Sequence, residues 1–249
     1  VETPMLFKTT PEGARDYLVP SRVHPGSFYA LPQSPQQLKQ LLMVAGVERY
    51  FQIARCFRDE DLRGDRQPEF TQLDVEMSFV HRDDVLDMME GLFTEMIPAV
   101  APHKRILDAS WKKLTYFEAM DTYGTDKPDL RFDLKLYDAS QLFASSSFMV
   151  FQNTLKSGGV IKCIAAPGCA EYTRKEVDEL TNVARDQGAK GLATLALAAE
   201  GVKGTAAKFI SAEEIEALKA LTGAQAGDLL LFVADSKAVA NKTLGALRL

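Results

Sequence analysis

Residues 50–80 constrain the fold more than any other segment, because they read as two strands joined by a charged loop. Residues 50–57 and 69–80 are rich in apolar and aromatic residues that alternate with polar ones, whereas residues 58–68 are too charged to enter a core. Side chains on a strand alternate between its two faces. We therefore predict an antiparallel hairpin with a long charged loop.

The two faces of this hairpin differ in chemistry. One face is largely apolar, and its second strand carries Leu73, Val75, Met77 and Phe79. The other face carries Phe70, Gln72, Asp74, Glu76 and Ser78, with Gln52, Ala54, Cys56 and Arg58 on the first strand. A polar face of an antiparallel sheet usually lies in water, and a solvated outer face is the plainer interpretation.

Three features favour a ligand site on that polar face instead. The small residues Ala54 and Cys56 leave room above the sheet, and both charge signs lie beside an aromatic ring. The loop adds Arg63 and Arg66, whose planar guanidinium groups suit phosphate. The sequence thus allows a site for a phosphorylated ligand that carries a ring.

Bulk properties exclude several classes of protein. A chain of 249 residues can form one large or two modest domains, and a net charge of −5 gives no general attraction to nucleic acid. Cys56, Cys163 and Cys169 lack C-x-x-C spacing, so neither a side-chain metal site nor a disulfide framework is expected. No apolar run nears the roughly 18 residues of a membrane span. We expect a cytoplasmic protein, truncated at its front because it opens on Val1 without methionine.

Helix signals flank the hairpin. Ser34, Pro35 and Gln37 predict a capped helix start, with Pro35 at the first helical position, and Gly46 suits its end. An apolar stripe over residues 85–96 predicts a second helix that ends at Pro98. A capping box of Thr115 and Glu118 predicts a third helix, ended by Gly124.

The second half has a different composition, richer in alanine and glycine beyond Phe132. Residues 160–164, 192–197 and 229–234 read as strands, and helices are predicted to start at the capping residues Thr173 and Ser211. Because strands and helices alternate, we predict a second, mixed α/β unit. The predicted domains are residues 1–133 and 134–249.

Here a resemblance to a known family becomes specific. Phe57-Arg58-Asp59-Glu60, followed by Arg66-x-x-x-Phe70, resembles the second signature motif of class II aminoacyl-tRNA synthetases, and residues 64–76 resemble its aspartyl branch. Residues 1–4 are similar to the tail of the first motif, residues 10–16 to the loop that closes over the amino acid, and residues 31–40 to the aspartate-binding segment. The runs Gly188-Ala189-Lys190-Gly191-Leu192-Ala193 and Gly245-Ala246-Leu247-Arg248-Leu249 resemble the insertion domain of bacterial aspartyl-tRNA synthetases.

This resemblance implies an α+β fold: part of the class II antiparallel sheet with flanking helices, followed by a smaller mixed α/β insertion domain. It implies that Arg58 is the catalytic residue. The ATP-binding residues that it implies are Arg58, Asp59, Glu60, Arg66, Gln67 and Phe70. The aspartate-binding residues that it implies are Glu12, Ser34, Gln36, Lys39, Arg58 and Asp74. The residues that it implies for contact with the tRNA acceptor end are Arg63, Gly64 and Asp65. Taken without the family, Ser34 and Gln36 would be helix-capping residues and Lys39 a solvated helix lysine.

The implied function is that of an aspartate–tRNA ligase, with ATP as a substrate, Mg²⁺ held mostly by residues outside this chain, and a homodimer. Its partners would be L-aspartate and the tRNA for aspartate, with the tRNA for asparagine left open. No third class II motif is visible, so the chain alone should make no adenylate. Two alternatives stay open: an ammonia-dependent asparagine synthetase and a non-catalytic module that binds charged tRNA.

Overall fold

The computed structural model describes residues 1–108 and 110–249. It divides into two compact units, Val1–Trp111 and Lys112–Leu249, and each is considered by itself. The segment between residues 112 and 133 belongs to the second unit in this division, although composition alone predicted a boundary near residue 133. That composition-based domain boundary stays a prediction. No helix of the described residues is both long and apolar enough to cross a membrane.

The first unit is built around the predicted hairpin. Its elements are β1 (Leu18–Pro20), β2 (Phe28–Ala30), α1 (Gln36–Val44), β3 (Arg49–Phe57), β4 (Glu69–Met77) and α2 (Arg82–Val100). Strands β3 and β4 pair antiparallel, from Arg49 opposite Met77 to Phe57 opposite Glu69. The strand ends at Met77 rather than at Val80, since Phe79 has a φ of 58°, which an extended strand does not accommodate.

The polar face of the hairpin is the covered one. Tyr50, Gln52, Ala54 and Cys56 are buried on the side that faces α1. On the opposite face, Phe51 and Ile53 are each 66% exposed. The expectation of a solvated polar face is therefore wrong, and the polar side chains line the interior. The apolar face instead borders a groove of about 730 Å³ beside α2, and an apolar area of this kind marks a contact surface.

Two helix boundaries differ from prediction. Pro35 is the N-cap residue of α1, not its first helical residue, and no side chain caps it, because the Ser34 hydroxyl donates to Glu12 instead. Helix α2 continues through Pro98 to Val100. A proline removes one amide donor and disturbs the preceding turn, and Pro98 accordingly lies in the last turn of α2, two residues before its end.

The second unit contains the mixed α/β fold that the alternation predicted. Its elements are α3 (Tyr116–Tyr123), β5 (Tyr137–Asp138), α4 (Met149–Lys156), β6 (Val160–Ala166), α5 (Arg174–Asp186), β7 (Ala193–Ala198), β8 (Gly201–Lys203), α6 (Ala212–Thr222), β9 (Leu229–Asp235) and α7 (Lys237–Leu247). The five-stranded sheet has the order β5-β6-β9-β7-β8, and all its pairs are antiparallel. The capping boxes at Thr115, Thr173 and Ser211 are confirmed.

Helix α7 holds α3 and the following segment in place. Gly124, at the end of α3, lies so close to Gly245 that a Cβ on Gly245 would be 2.9 Å from the Gly124 oxygen. The buried Arg248 guanidinium lies over the Phe132 ring and donates to the carbonyls of Leu134 at 2.7 Å and of Asp129. These contacts explain why residues 112–133 pack with the second unit.

This close approach makes Gly245 intolerant of even a methyl group. We expect Gly245→Ala to lower the free energy of unfolding of the second unit by about 1–3 kcal/mol, because the methyl group overpacks the helix crossing. The matched control is Gly91→Ala in α2, where a Cβ would meet open space. That control should stabilise its helix by roughly 0.5–1 kcal/mol. Urea denaturation of both variants measures the difference, and equal effects would contradict the packing described.

Candidate active site

A buried ion pair lies between α1 and the hairpin. The Lys39 Nζ is 2.8 Å from the Asp74 Oδ1 and 3.3 Å from the Glu76 Oε2. Lys39 and Asp74 are each only 8% exposed. Burial lowers the pKa of Lys39, but hydrogen bonds and charges from Asp74 and then Glu76 outweigh burial and leave that pKa above its ordinary value. The lysine is therefore a fixed positive charge in the interior.

A second layer of polar groups lies beside this pair. The Tyr50 hydroxyl donates to the Gln52 Oε1 at 2.7 Å, and the Thr3 hydroxyl is 3.0 Å from the same oxygen. Across the strands, Tyr50 lies opposite Glu76 and Gln52 opposite Asp74. The antiparallel register thus places the second layer directly next to the two carboxylates.

The loop before β1 is tied to the start of α1. The Glu12 carboxylate accepts hydrogen bonds from the hydroxyls of Ser34 and Thr10, each at 2.7 Å. The buried Gln33 amide accepts from the Ala14 amide at 3.2 Å and donates to the Ala14 carbonyl at 2.8 Å. Glu12 is therefore oriented by two hydroxyls, while Gln36 is the first residue of α1 and is partly buried.

Arg58 and Phe70 form the other end of the inner face. The guanidinium of Arg58 lies 5.2 Å from the centre of the Phe70 ring. Its Nε is buried and, like the Asp74 Oδ2, has no hydrogen-bond partner within the described part of the chain. A buried polar atom without a partner costs free energy and requires an explanation. Both atoms are suited to a ligand that bears an anionic and a cationic group.

The buried Cys56 lies on the same inner face, opposite Phe70, and its thiol is 3.3 Å from the Gln72 Oε1. Burial raises the pKa of this thiol, the charge of Arg58 lowers it, and the charges of Asp74 and Glu12 raise it further. The first unit thus brings together six of the side chains that the sequence indicated: Glu12, Ser34, Lys39, Arg58, Phe70 and Asp74.

The charged loop between β3 and β4 is exposed to solvent. Its exposed residues include Glu60, Arg63, Gly64, Asp65, Arg66 and Gln67. Asp59 forms a bridge to the loop before β1, because its amide donates to the Arg15 carbonyl at 3.0 Å. The roles of the exposed loop residues stay predictions.

Sequence reasoning assigned no role to four residues of the inner face. Glu76 contacts Lys39, Tyr50 and Gln52 form the second layer, and Gln33 holds the loop. Strand parity carried part of the signal, since Glu76 lies on the same face as Asp74, and Tyr50 on the same face as Gln52. Nothing local marked Gln33, whose partners lie 17 and 19 residues earlier in the chain.

Comparison with known proteins identifies the family. Residues 1–234 match the family model described as tRNA synthetases class II (D, K and N). The chain belongs to this family. Over the whole of this chain, it is 58% identical to an aspartate–tRNA(Asp/Asn) ligase of Rubrobacter xylanophilus and 57% identical to that of Moorella thermoacetica. It is also 57% identical to an aspartate–tRNA ligase of Geobacillus kaustophilus.

The chain is shorter than these class II relatives. It spans 41% of the length of the Rubrobacter and Moorella proteins and 42% of the Geobacillus protein. Membership of the family accounts for the antiparallel hairpin and confirms the predicted fold class. Activity, substrates and partners belong to a longer protein and are considered below as a proposal.

The ion pair gives a direct test of the site's electrostatics. Asp74→Asn removes the largest contribution that keeps Lys39 charged, so burial should then prevail and lower the Lys39 pKa. NMR titration of ¹⁵N-labelled lysine side chains measures that pKa. The matched control is Glu69→Gln, which removes a carboxylate that pairs with Arg55 on the exposed face of the hairpin. A Lys39 pKa that is the same in both variants would contradict the pairing.

Proposed function

We propose that the protein to which this chain belongs activates L-aspartate with ATP and transfers the aspartyl group to the 3′ end of tRNA. The observation that carries the proposal is the buried Lys39 charge, held between Asp74 and Glu76 on the same covered face as Arg58 and Phe70. The three relatives described above, all aspartate–tRNA ligases, support it.

The Lys39 ammonium is the group suited to the side chain of the amino acid. Two of its three N–H donors face Asp74 and Glu76, so one remains for the β-carboxylate of aspartate. Asparagine would offer this donor a neutral amide, and a charged donor makes a stronger hydrogen bond to a carboxylate than to a neutral acceptor. The Asp74 Oδ2 and the Glu12 carboxylate would bind the substrate ammonium, with Ser34 orienting Glu12.

Arg58 is the group suited to the reacting phosphate. In the proposed reaction, an oxygen of the aspartate α-carboxylate attacks the α-phosphorus of ATP as the bond to the bridging oxygen breaks and pyrophosphate leaves. Negative charge grows on the α-phosphate, and the Arg58 guanidinium would neutralise it. Phe70 would stack on adenine, and Asp59, Glu60, Arg66 and Gln67 would complete the nucleotide site. No proton transfer by the protein is required in this step.

Other parts of the proposal rest on the family. Mg²⁺ would accompany ATP, but the described residues contain no cluster of three or more His, Cys, Asp or Glu suited to a metal ion, and no step above depends on it. Arg63, Gly64 and Asp65 would face the tRNA acceptor end. We also propose a homodimer in the cytoplasm, with the tRNA for aspartate as substrate. The tRNA for asparagine is included by analogy with the two relatives whose names contain Asp/Asn.

Pyrophosphate exchange tests the proposal in the full-length protein. We expect ATP-dependent exchange with aspartate, and none with asparagine or glutamate. Arg58→Ala should reduce the exchange by about 10²–10³-fold, as for the loss of a group that stabilises transition-state charge. Lys39→Ala should reduce it comparably. The matched control is Arg55→Ala, which removes an exposed arginine from the same strand. Full activity in Arg58→Ala, or no exchange by the wild-type protein, would refute the assignment.

The 249-residue chain itself should form no aspartyl-adenylate, because a third class II motif is not visible in its sequence. The test is pyrophosphate exchange by the purified chain under conditions in which the full-length protein is active. Measurable exchange with aspartate would show that the residues of this chain suffice for activation. A mixture of chain and full-length protein serves as the control for inhibitors in the preparation.

A further inference from the structure

Tyr50 is a buried phenol that the proposed reaction does not use. It is 3% exposed and lies on the inner face of β3, opposite Glu76 and two register pairs away from the pair of Gln52 and Asp74. Its hydroxyl lies 2.7 Å from the Gln52 Oε1. Burial raises the pKa of Tyr50 to about 12, and the nearby charge of Asp74 raises it as well. The phenol therefore stays neutral at physiological pH and keeps one proton to donate.

Near Tyr50, one buried hydrogen-bond acceptor, the Asp74 Oδ2, lacks a donor among the described residues. The Asp74 Oδ1 accepts from Lys39, whereas the buried Asp74 Oδ2 has no partner within the described residues. In contrast, the Gln52 Oε1 faces two hydroxyls, those of Tyr50 and Thr3. A glutamine side chain presents an acceptor on one side and a donor on the other, and a half turn exchanges them.

A half turn of the Gln52 amide would free the Tyr50 hydroxyl to donate to Asp74. Its NH₂ group would then donate to the hydroxyl oxygens of Tyr50 and Thr3, and the Tyr50 proton would be free to donate to Asp74. A carboxylate that accepts a hydrogen bond from a fixed hydroxyl loses rotational freedom, and preorganised binding groups cost less to order when a ligand arrives.

We propose that Tyr50 is a positioning residue for aspartate: its hydroxyl, steered by Gln52 and Thr3, fixes the carboxylate of Asp74 so that Lys39 and the substrate ammonium each meet one oxygen. This inference rests on the proposed function. When the ammonium reaches Asp74, Gln52 can turn back so that its Oε1 again accepts from the Tyr50 hydroxyl. The four groups Thr3, Gln52, Tyr50 and Asp74 thus form one relay whose only contact with substrate is at Asp74.

Exchange kinetics of the full-length protein test this role. Tyr50→Phe, which keeps the ring and removes the hydroxyl, should raise KM for aspartate about tenfold and leave kcat and KM for ATP within about twofold, as for lost ground-state binding. In an Asp74→Asn background the same substitution should change KM for aspartate by less than about twofold, since residues that act as one unit are not additive. The matched control is Tyr29→Phe, a tyrosine that is 40% exposed.

Several results would overturn the inference. These are an unchanged KM for aspartate in Tyr50→Phe, equal rises in KM for aspartate and ATP, or additive effects of the two substitutions. A purely structural phenol would lower stability without this selectivity, so thermal unfolding is measured in parallel.

A second measurement does not depend on activity. The carboxyl ¹³C resonance of Asp74, assigned with Asp74→Asn, should move in Tyr50→Phe and stay in place in Tyr29→Phe. An unmoved resonance would exclude the hydrogen bond, even if Tyr50→Phe were too unstable for kinetics. Absence of exchange by the wild-type protein would refute the proposed function instead, whereas the carboxyl resonance would still test the relay.

Discussion

The buried ammonium of Lys39, held between Asp74 and Glu76, is the interaction on which the rest of the first unit depends. A lone charge in a protein interior is very costly, and even a paired one is seldom a net source of stability. Its presence therefore explains features that stability alone would not require. The inner face of the hairpin carries polar residues, while its apolar residues Phe51 and Ile53 lie exposed. Small residues at Ala54 and Cys56 leave space over the sheet, and Tyr50 and Gln52 supply a second polar layer.

The two buried atoms without partners connect this arrangement to chemistry. Arg58 Nε and Asp74 Oδ2 lie at two ends of the same face, one a donor and the other an acceptor. An amino acid presents the complementary groups, a carboxylate and an ammonium, and its side chain determines what must meet Lys39. Specificity would then come from the stronger hydrogen bond that the Lys39 ammonium makes with a carboxylate than with a neutral amide. Glu12 and Ser34 belong to the same arrangement, since the Ser34 hydroxyl, which could have capped a helix, orients the Glu12 carboxylate instead.

Strand parity made the hairpin predictable, because alternation is a local property that survives in any tertiary context. It also sorted Asp74 and Glu76 onto one face, but it could not say which face was covered, since that depends on where α1 packs. The predictions of capping boxes at Thr115, Thr173 and Ser211 rested on equally local patterns and were correct. The Ser34 hydroxyl instead donates to Glu12, 22 residues away, so it does not cap α1. The relay through Tyr50 and the role of Gln33 depend on long-range neighbours. Apart from the suitability of Arg63 and Arg66 for phosphate, functional roles for the charged loop came from family resemblance, and the structure leaves Glu60 and Arg66 exposed.

We propose that the charge of Lys39 selects aspartate. Isothermal titration calorimetry tests this with aspartate, asparagine and ATP, using the full-length protein and its Lys39→Met variant, which keeps a long apolar side chain and removes the charge. We expect the wild-type protein to bind aspartate far more tightly than asparagine, and this preference to disappear in Lys39→Met while ATP binding is retained. An undiminished preference for aspartate in the variant would contradict selection by Lys39.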